Sequence, residues 1–205
     1  GFGAGTDGGL AGTGRAEKAL LYRETIGWFS GAVQTQIRAT SPNDRHVFDT
    51  WGASVILGKA IGFAAGAAFN QVRDGVAAPN PNQAHLGDEA AIFGARFRSA
   101  NWYSAATYSG LTHHEINDLG RRFSGDGIDL ALRRAFGPRY WIELGFNNLR
   151  PDSDHDGDFR TRFWLANLIY QFGDASRVFI GGRIDDSRNS DNTRCALGGF
   201  TAGLN

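Results

Sequence analysis

Three short stretches of this 205-residue sequence carry residue types that could do chemistry. The first is at the start, where Gly3, Gly5 and Gly8 have the G-x-G-x-x-G spacing of a dinucleotide-binding turn. That turn requires a strand before it and a helix after it, and the sequence predicts neither. We interpret the stretch as a glycine-rich loop, because glycine reaches backbone angles that are closed to other residues.

The second stretch is an acidic loop, and it is the sharpest candidate for a metal site. The sequence PDSDHDG matches the first half of a calcium-binding loop, D-x-D-x-D-G. The full loop needs a bidentate acid at its twelfth position, which here is Phe163. A complete EF-hand is therefore excluded. A weak calcium site in an external loop, or simply a hydrated acidic loop, stays open, and its ligands would be Asp152, Asp154, Asp156 and Asp158.

The third stretch contains His113, His114 and Glu115. Neighbouring side chains on a strand point to opposite faces, so two adjacent histidines cannot share a metal ion without a bend in the chain. Ser109 lies close by, but the sequence has no G-x-S-x-G turn that would expose a nucleophilic serine. A solvated loop is the favoured interpretation, and we predict neither a metal, nor another cofactor, nor catalysis.

Composition excludes several classes of partner and anchor. Acidic and basic residues balance at 21 each, so there is no basic surplus for nucleic acid. The single cysteine cannot form an internal disulfide. The most apolar stretch, from Ser54 to Phe69, is shorter than the ~20 residues that a membrane helix needs, and it contains Lys59. We interpret it as two strands joined by a turn.

Alternation of apolar and polar residues recurs along nearly the whole chain, and it indicates half-buried strands. In one segment Ala91, Phe93, Ala95 and Phe97 oppose Gly94, Arg96 and Arg98. About eleven strands are predicted, at 17–26, 28–39, 46–57, 60–73, 88–98, 101–112, 124–135, 139–149, 159–172, 176–186 and 194–205.

Three features favour a transmembrane antiparallel β-barrel over a soluble sheet. The predicted strands are about ten residues long, as a tilted membrane-spanning strand requires. Aromatic residues cluster near strand ends, where interfacial girdles lie. The predicted connections also alternate between short turns and long polar loops, such as Arg73 to Gly87, Thr112 to Ser124 and Asp186 to Thr193. Short turns at one rim and long loops at the other are typical of bacterial outer-membrane barrels.

Four segments resemble the Gram-negative general porin family, the trimeric sixteen-stranded type. They are GTGRAEKALLYRE from Gly12, NWYSAATYSG from Asn101, LANLIYQFGDASRVFIGGRID from Leu165 and GGFTAGLN from Gly198. The resemblance implies that the chain is the last two-thirds of such a protein, with about five strands preceding it. It further implies one β-barrel domain over 1–205, in which 1–14 is the tail of the constriction loop and 15–205 forms barrel strands and loops.

The resemblance also implies a function and partners. The expected function is a water-filled channel for passive diffusion of ions and small hydrophilic solutes, formed by a homotrimer in contact with membrane lipid and lipopolysaccharide. Strand parity predicts that Arg15, Arg23, Arg38, Arg96, Arg98 and Arg133 line the pore. The resemblance implies that Arg15 follows the constriction loop and that Asp7 belongs to this loop. By the same parity Gln34, Gln36 and Arg183 face inward, as do the acids Asp129, Glu143 and Asp185.

Two alternatives remain open at this stage. One is an outer-membrane barrel enzyme of ten or twelve strands, of the protease or phospholipase type. The other is a soluble β-sandwich adhesin, which would be extracted without detergent. The strand number of the intact barrel separates the porin from the enzyme, since sixteen strands leave an aqueous channel.

Overall fold

Alternating side chains give each extended segment two chemically different faces, and the computed structural model of the chain pairs these segments into one sheet. The structure describes residues 19–39, 45–72, 88–117, 119, 122–152, 159–172, 176–189, 194–195 and 198–204. Within these ranges the secondary structure is all strand and turn. The all-β fold class predicted from the alternation is confirmed.

Eleven strands of the described residues form a single antiparallel sheet in which each strand pairs with the next along the chain, except that a short two-stranded ladder intervenes before the last strand. The first six are β1 (Ala19–Ile26), β2 (Phe29–Ala39), β3 (Arg45–Gly58), β4 (Gly62–Val72), β5 (Asp88–Arg98) and β6 (Trp102–Ile116). The next four are β7 (Arg122–Phe136), β8 (Tyr140–Pro151), β9 (Thr161–Gln171) and β10 (Arg177–Asp185). A two-stranded ladder, β11 (Ser187–Arg188) with β12 (Arg194–Cys195), precedes the last strand, β13 (Gly198–Leu204).

The described part of this sheet is open, with β1 and β13 as its edges. Its connections alternate in length, as the sequence predicts. The pair Ile26 and Phe29 closes a two-residue turn at Gly27 and Trp28, where Gly27 has a φ of 62°. The turn at Gly137 also uses a positive φ, of 80°. Antiparallel pairing places all of these short turns at one end of the sheet and the longer connections at the other.

One predicted loop is wrong in its extent. We expected a loop from Thr112 to Ser124, but β6 continues to Ile116 and β7 begins at Arg122. The pairing shifts register between Leu111 and Glu115, so three residues of β6 bulge opposite one residue of β7. His113, at the centre of this bulge, has a φ of 51°, and its backbone N–H donates to Ser124 Oγ at 3.0 Å. The bulge absorbs the polar residues without ending the strand pair.

A second predicted loop, Asp186 to Thr193, also contains strand residues. The short ladder of β11 and β12 pairs Ser187 with Cys195 and Arg188 with Arg194. The polar residues of this segment predicted a loop, because a strand of two residues is too short to show an alternation of apolar and polar residues. Residues 190–193 of this connection lie outside the described residues.

The sheet has little buried core. A small cluster of Ala90, Leu111, Phe123 and Leu149 is buried near the long-connection end, with Phe159 packed against it. Many large apolar side chains are instead exposed, among them Leu20, Phe93 and Ile184 at 58% or more. The described part of the sheet is a single layer with no facing layer to cover such residues, so these side chains require an apolar surrounding that this part of the chain does not supply.

Candidate functional site on the polar face

Cross-strand pairing divides the side chains of the sheet into two faces, because directly opposed residues share a face. One face, here called the apolar face, carries most of the exposed large apolar side chains. From β1 to β10 its members include Leu20, Tyr22, Val33, Leu57, Phe63, Phe93, Ile128, Leu130, Leu132, Ile142, Leu144, Trp164, Leu168, Ile180 and Ile184. The opposite face is the polar face.

Aromatic rings line the apolar face beside the short turns. They include Phe29, Phe63, Phe97, Trp102, Phe136, Tyr140 and Tyr170. The rings of Tyr140 and Tyr170 lie 4.6 Å apart. Arg134 projects from this face, and its guanidinium lies 4.6 Å from the Trp102 ring and 5.0 Å from the Phe136 ring. Aromatic rings and a stacked arginine are what an interface between hydrocarbon and water favours.

Hydrogen-bonded polar side chains form the border of the apolar face at the end of the strands away from the short turns. Trp51 Nε1 donates to Gln71 Oε1 at 2.8 Å, and Gln71 Nε2 donates to Glu89 Oε1 at 2.6 Å. On β5 the apolar face runs from Phe97 to Glu89, which spans about 26 Å along the strand. For a strand tilted by ~40° this corresponds to about 20 Å of membrane depth, close to the ~25 Å apolar band of outer-membrane barrels.

The polar face brings together the predicted inward residues that the structure describes. The register places on this one face Arg23, Gln34, Arg96, Arg98, Asp129, Arg133, Glu143, Arg183 and Asp185. Arg38 belongs to β2 beyond a shift in register, and its side chain, like that of Gln36, lies outside the described residues. Asp7 and Arg15 lie outside them altogether.

Two arginines of the polar face are paired with acids. Arg133 Nε lies 3.9 Å from Glu143 Oε1, and its guanidinium stacks 4.6 Å from the Trp141 ring. Arg183 donates to Asp185 and lies 4.1 Å from the Phe163 ring. These rings hold the guanidinium groups against the wall. Sequence parity does not predict the Arg133–Glu143 pair, because it does not fix the register between strands. Arg183 and Asp185 lie two residues apart on one strand, and parity predicts only that they share a face.

Cross-strand pairing aligns Arg98, Tyr103, Arg133, Glu143 and Asn167 in one row, here called the Arg98 row. All five residues line a cavity of about 400 Å³ that opens beside the short turn 99–101. A cavity that extends over several strands requires the sheet to curve toward the polar face. This face is therefore concave.

Asp129 has a different environment, which sequence analysis did not predict. Its carboxylate accepts hydrogen bonds from Thr107 Oγ1 at 3.3 Å and from Asn147 Nδ2 at 2.5 Å. All three residues line a second cavity of about 340 Å³, which we call the Asp129 recess. It extends from β1 to β8, and Arg23, Ser109, His114 and Glu115 also line it.

The structure gives little support to the candidate metal-binding and catalytic residues. His114 Nδ1 lies 3.1 Å from Glu115 Oε1, yet no cluster of three potential metal ligands occurs among the described residues. Of the acidic loop only Asp152 is described, and its N–H donates to Ser124 O at 2.9 Å. Asp154, Asp156 and Asp158 lie outside the described part. No helix there is long and apolar enough to cross a bilayer.

Solved structures share this fold. OmpF of Salmonella typhi, in complex with daunomycin, superposes with a TM-score of 0.71 at 14% identity and covers 91% of this chain and 60% of its own. The outer membrane channel DcaP of Acinetobacter baumannii gives 0.65 at 11% identity, covering 91% and 60%. An anion-selective porin from Comamonas acidovorans gives 0.59 at 11% identity, covering 91% and 57%.

The chain therefore spans about three fifths of the length of these porins. No protein-family profile and no curated protein sequence matches it. The likeness is one of fold, that of a transmembrane antiparallel β-barrel wall. Of these solved proteins, one is described as an outer membrane channel and another as an anion-selective porin.

Proposed function

We propose that the protein is an outer-membrane porin, and that this chain forms the larger part of its wall. The observation that carries the proposal is the opposition of the two faces. An exposed apolar face with aromatic rings at its rim suits lipid, while a concave face with charged and amide side chains suits water. In a barrel of sixteen strands the concave face would enclose an aqueous channel.

In this proposal ions and small hydrophilic solutes cross by passive diffusion, and the wall selects by width and charge. The described part of the lining is Arg23, Arg96, Arg98 and Arg133, and Arg38 and the constriction residues Asp7 and Arg15 complete the set. Two unit charges 4 Å apart interact by about 4 kcal/mol at an effective dielectric of about 20. Salt screens such interactions over about 8–10 Å, so only charges near the solute path affect selectivity.

The same proposal names the partners of the protein and predicts that it has no catalytic activity. The apolar face contacts membrane lipid and, at the long-loop rim, lipopolysaccharide. The complete protein is a homotrimer with a single β-barrel domain, in which 1–14 belongs to the constriction loop. It uses no cofactor, binds no nucleic acid and catalyses no reaction.

Planar-bilayer recording tests the proposal. The complete protein, purified in detergent and added to a bilayer, should produce stepwise conductance increments that rise with KCl concentration. Vesicles containing it should swell in small sugars but not in large oligosaccharides. Insertion without conductance steps and without swelling would overturn the proposal.

A further inference from the structure

Asp129 is the exception among the three described carboxylates predicted to face inward. Glu143 lies beside Arg133, and Asp185 accepts from Arg183. Asp129 accepts only from the neutral donors of Thr107 and Asn147. These two donors orient its oxygens but leave its charge uncompensated.

The arginines of the polar face do not compensate Asp129. Arg23, six strands away on β1, also lines the Asp129 recess, but it donates no hydrogen bond to the Asp129 carboxylate, whose donors are Thr107 and Asn147. Arg96 is two strands away, and its guanidinium donates to the carbonyls of Lys59 and Ala60 at 3.4 Å. Arg133, four residues along the same strand, is held by Glu143 and Trp141.

Asn147 supplies a second, independent observation. Its side chain is 4% exposed and lines the Asp129 recess. While Nδ2 donates to Asp129, the amide oxygen Oδ1 is buried and has no hydrogen-bond partner. A buried acceptor without a donor is unfavourable, and a donor in the recess would satisfy it once the amide turns to expose Oδ1.

The shape of the recess leaves room for a ligand. Its volume of about 340 Å³ falls within the range of small-molecule sites. Gly127 forms part of its floor, where a Cβ atom would collide with Ser109 Oγ. The carboxylate of Glu115 also lines it. Glu115 is paired with His114, and Arg23 also lines the recess. The acceptors that remain are the Asp129 carboxylate and, beside it, the unsatisfied amide oxygen of Asn147.

We propose that the Asp129 recess binds the ammonium group of small organic cations as they pass along the wall. An ammonium group offers positive charge and several N–H donors, which match an uncompensated carboxylate and an unsatisfied carbonyl oxygen. Cations of the same charge that lack N–H donors satisfy only the first requirement. The inference rests on the proposed channel function and adds a class of solute to it.

The test measures the KCl conductance of single channels formed by the complete protein in planar bilayers. Ethanolamine hydrochloride is titrated at constant ionic strength, with tetramethylammonium chloride as the donor-free control. We expect ethanolammonium to reduce the KCl conductance in a saturable manner and tetramethylammonium to reduce it without saturation. In Asp129→Asn the half-saturating concentration should rise by about tenfold or more, because a charged acceptor is lost.

Glu143→Gln is the matched control, since it neutralises a carboxylate of the same face that is already paired. It should leave the half-saturating concentration within about twofold of wild type. Asn147→Ala should raise this concentration even if Asp129→Asn fails to insert. If the half-saturating concentration is unchanged in Asp129→Asn or in Asn147→Ala, the proposed binding site in the Asp129 recess is overturned. KCl conductance in these variants would still support the proposed channel. Absence of any KCl conductance overturns both proposals.

Discussion

Two adjacent arginines on β7 show how differently the two faces of this sheet use the same residue. Arg133 stacks 4.6 Å from the ring of Trp141 on the polar face, and Arg134 stacks 4.6 Å from the ring of Trp102 on the apolar face. Arg133 has the carboxylate of Glu143 within 3.9 Å. Arg134 has a second aromatic ring, that of Phe136, at 5.0 Å.

This difference shows that the role of each arginine depends on the face of the sheet it occupies, since the residue type and the stacking on a tryptophan ring are the same for both. In the proposed channel, water surrounds a guanidinium on the polar face, so this group can act on passing ions. On the apolar face the same group must remain at the rim, where its stem covers aromatic surface and its charge reaches water. Three paired substitutions, one on each face, test this division.

The largest effect is expected for arginine placed at the centre of the apolar face. Leu144 lies there on β8, whereas Leu165 on β9 pairs with Gly145 on the polar face. Leu144→Arg should destabilise the folded protein by about 2–4 kcal/mol, the cost of arginine at the bilayer midplane. Leu165→Arg should cost less than about 1 kcal/mol because it faces the lumen side. Equilibrium unfolding by urea in lipid vesicles measures both, and equal costs would contradict the assignment of the faces.

A smaller effect is expected where strands approach closely on the polar face. A Cβ atom at Gly66 would lie 2.6 Å from the carbonyl oxygen of Val55, whereas a Cβ atom at Gly110, on the apolar face, meets nothing within 4 Å. Gly66→Ala should therefore destabilise by about 1–3 kcal/mol through overpacking. Gly110→Ala should change stability by about 0.5 kcal/mol or less. The same unfolding assay distinguishes them, and similar values for both would refute the close approach.

The smallest effect on stability concerns the two stacked arginines themselves. Arg134→Gln should lower stability by about 0.5–1 kcal/mol, the value of an exposed cation–π contact, and should leave ion preference unchanged. Arg133→Gln should shift the reversal potential toward cations, more at low salt than at high salt. Bilayer recordings in a KCl gradient, combined with unfolding, give both quantities for each variant. A shift in reversal potential from Arg134→Gln would remove the distinction between the faces.

Much of this architecture could be predicted from sequence because alternation has a period of two. The eleven predicted strands correspond to the eleven strands of the sheet, and the alternation on β5 separated Phe93 and Phe97 from Arg96 and Arg98 correctly. The order of short and long connections was also predicted, since turns and polar loops differ in length and composition. Aromatic residues near strand ends were also predicted, because interfacial girdles lie there in outer-membrane barrels.

The remaining features depend on register, which parity alone does not determine. Sequence parity placed Asp129 on the inward face but could not show that Thr107 and Asn147 lie opposite it. The bulge at His113 was predicted as a loop because its polar residues hide the continuing pairing of Glu115 with Phe123. Asp7 and Arg15 stay predictions, since they lie outside the described residues.

In the proposed channel, the Arg98 row has a geometric consequence for ions that move along the wall. Hydrogen-bonded rows run perpendicular to the strands, and strands in outer-membrane barrels tilt by ~40° from the barrel axis. Each step from one strand to the next, about 4.8 Å wide, then also advances about 3 Å along the axis. The five side chains of the row would follow a spiral that climbs about 12 Å from Arg98 to Asn167. We expect a passing ion to meet Arg98, Arg133 and Glu143 one after another at different heights along the barrel axis, rather than together in a single ring.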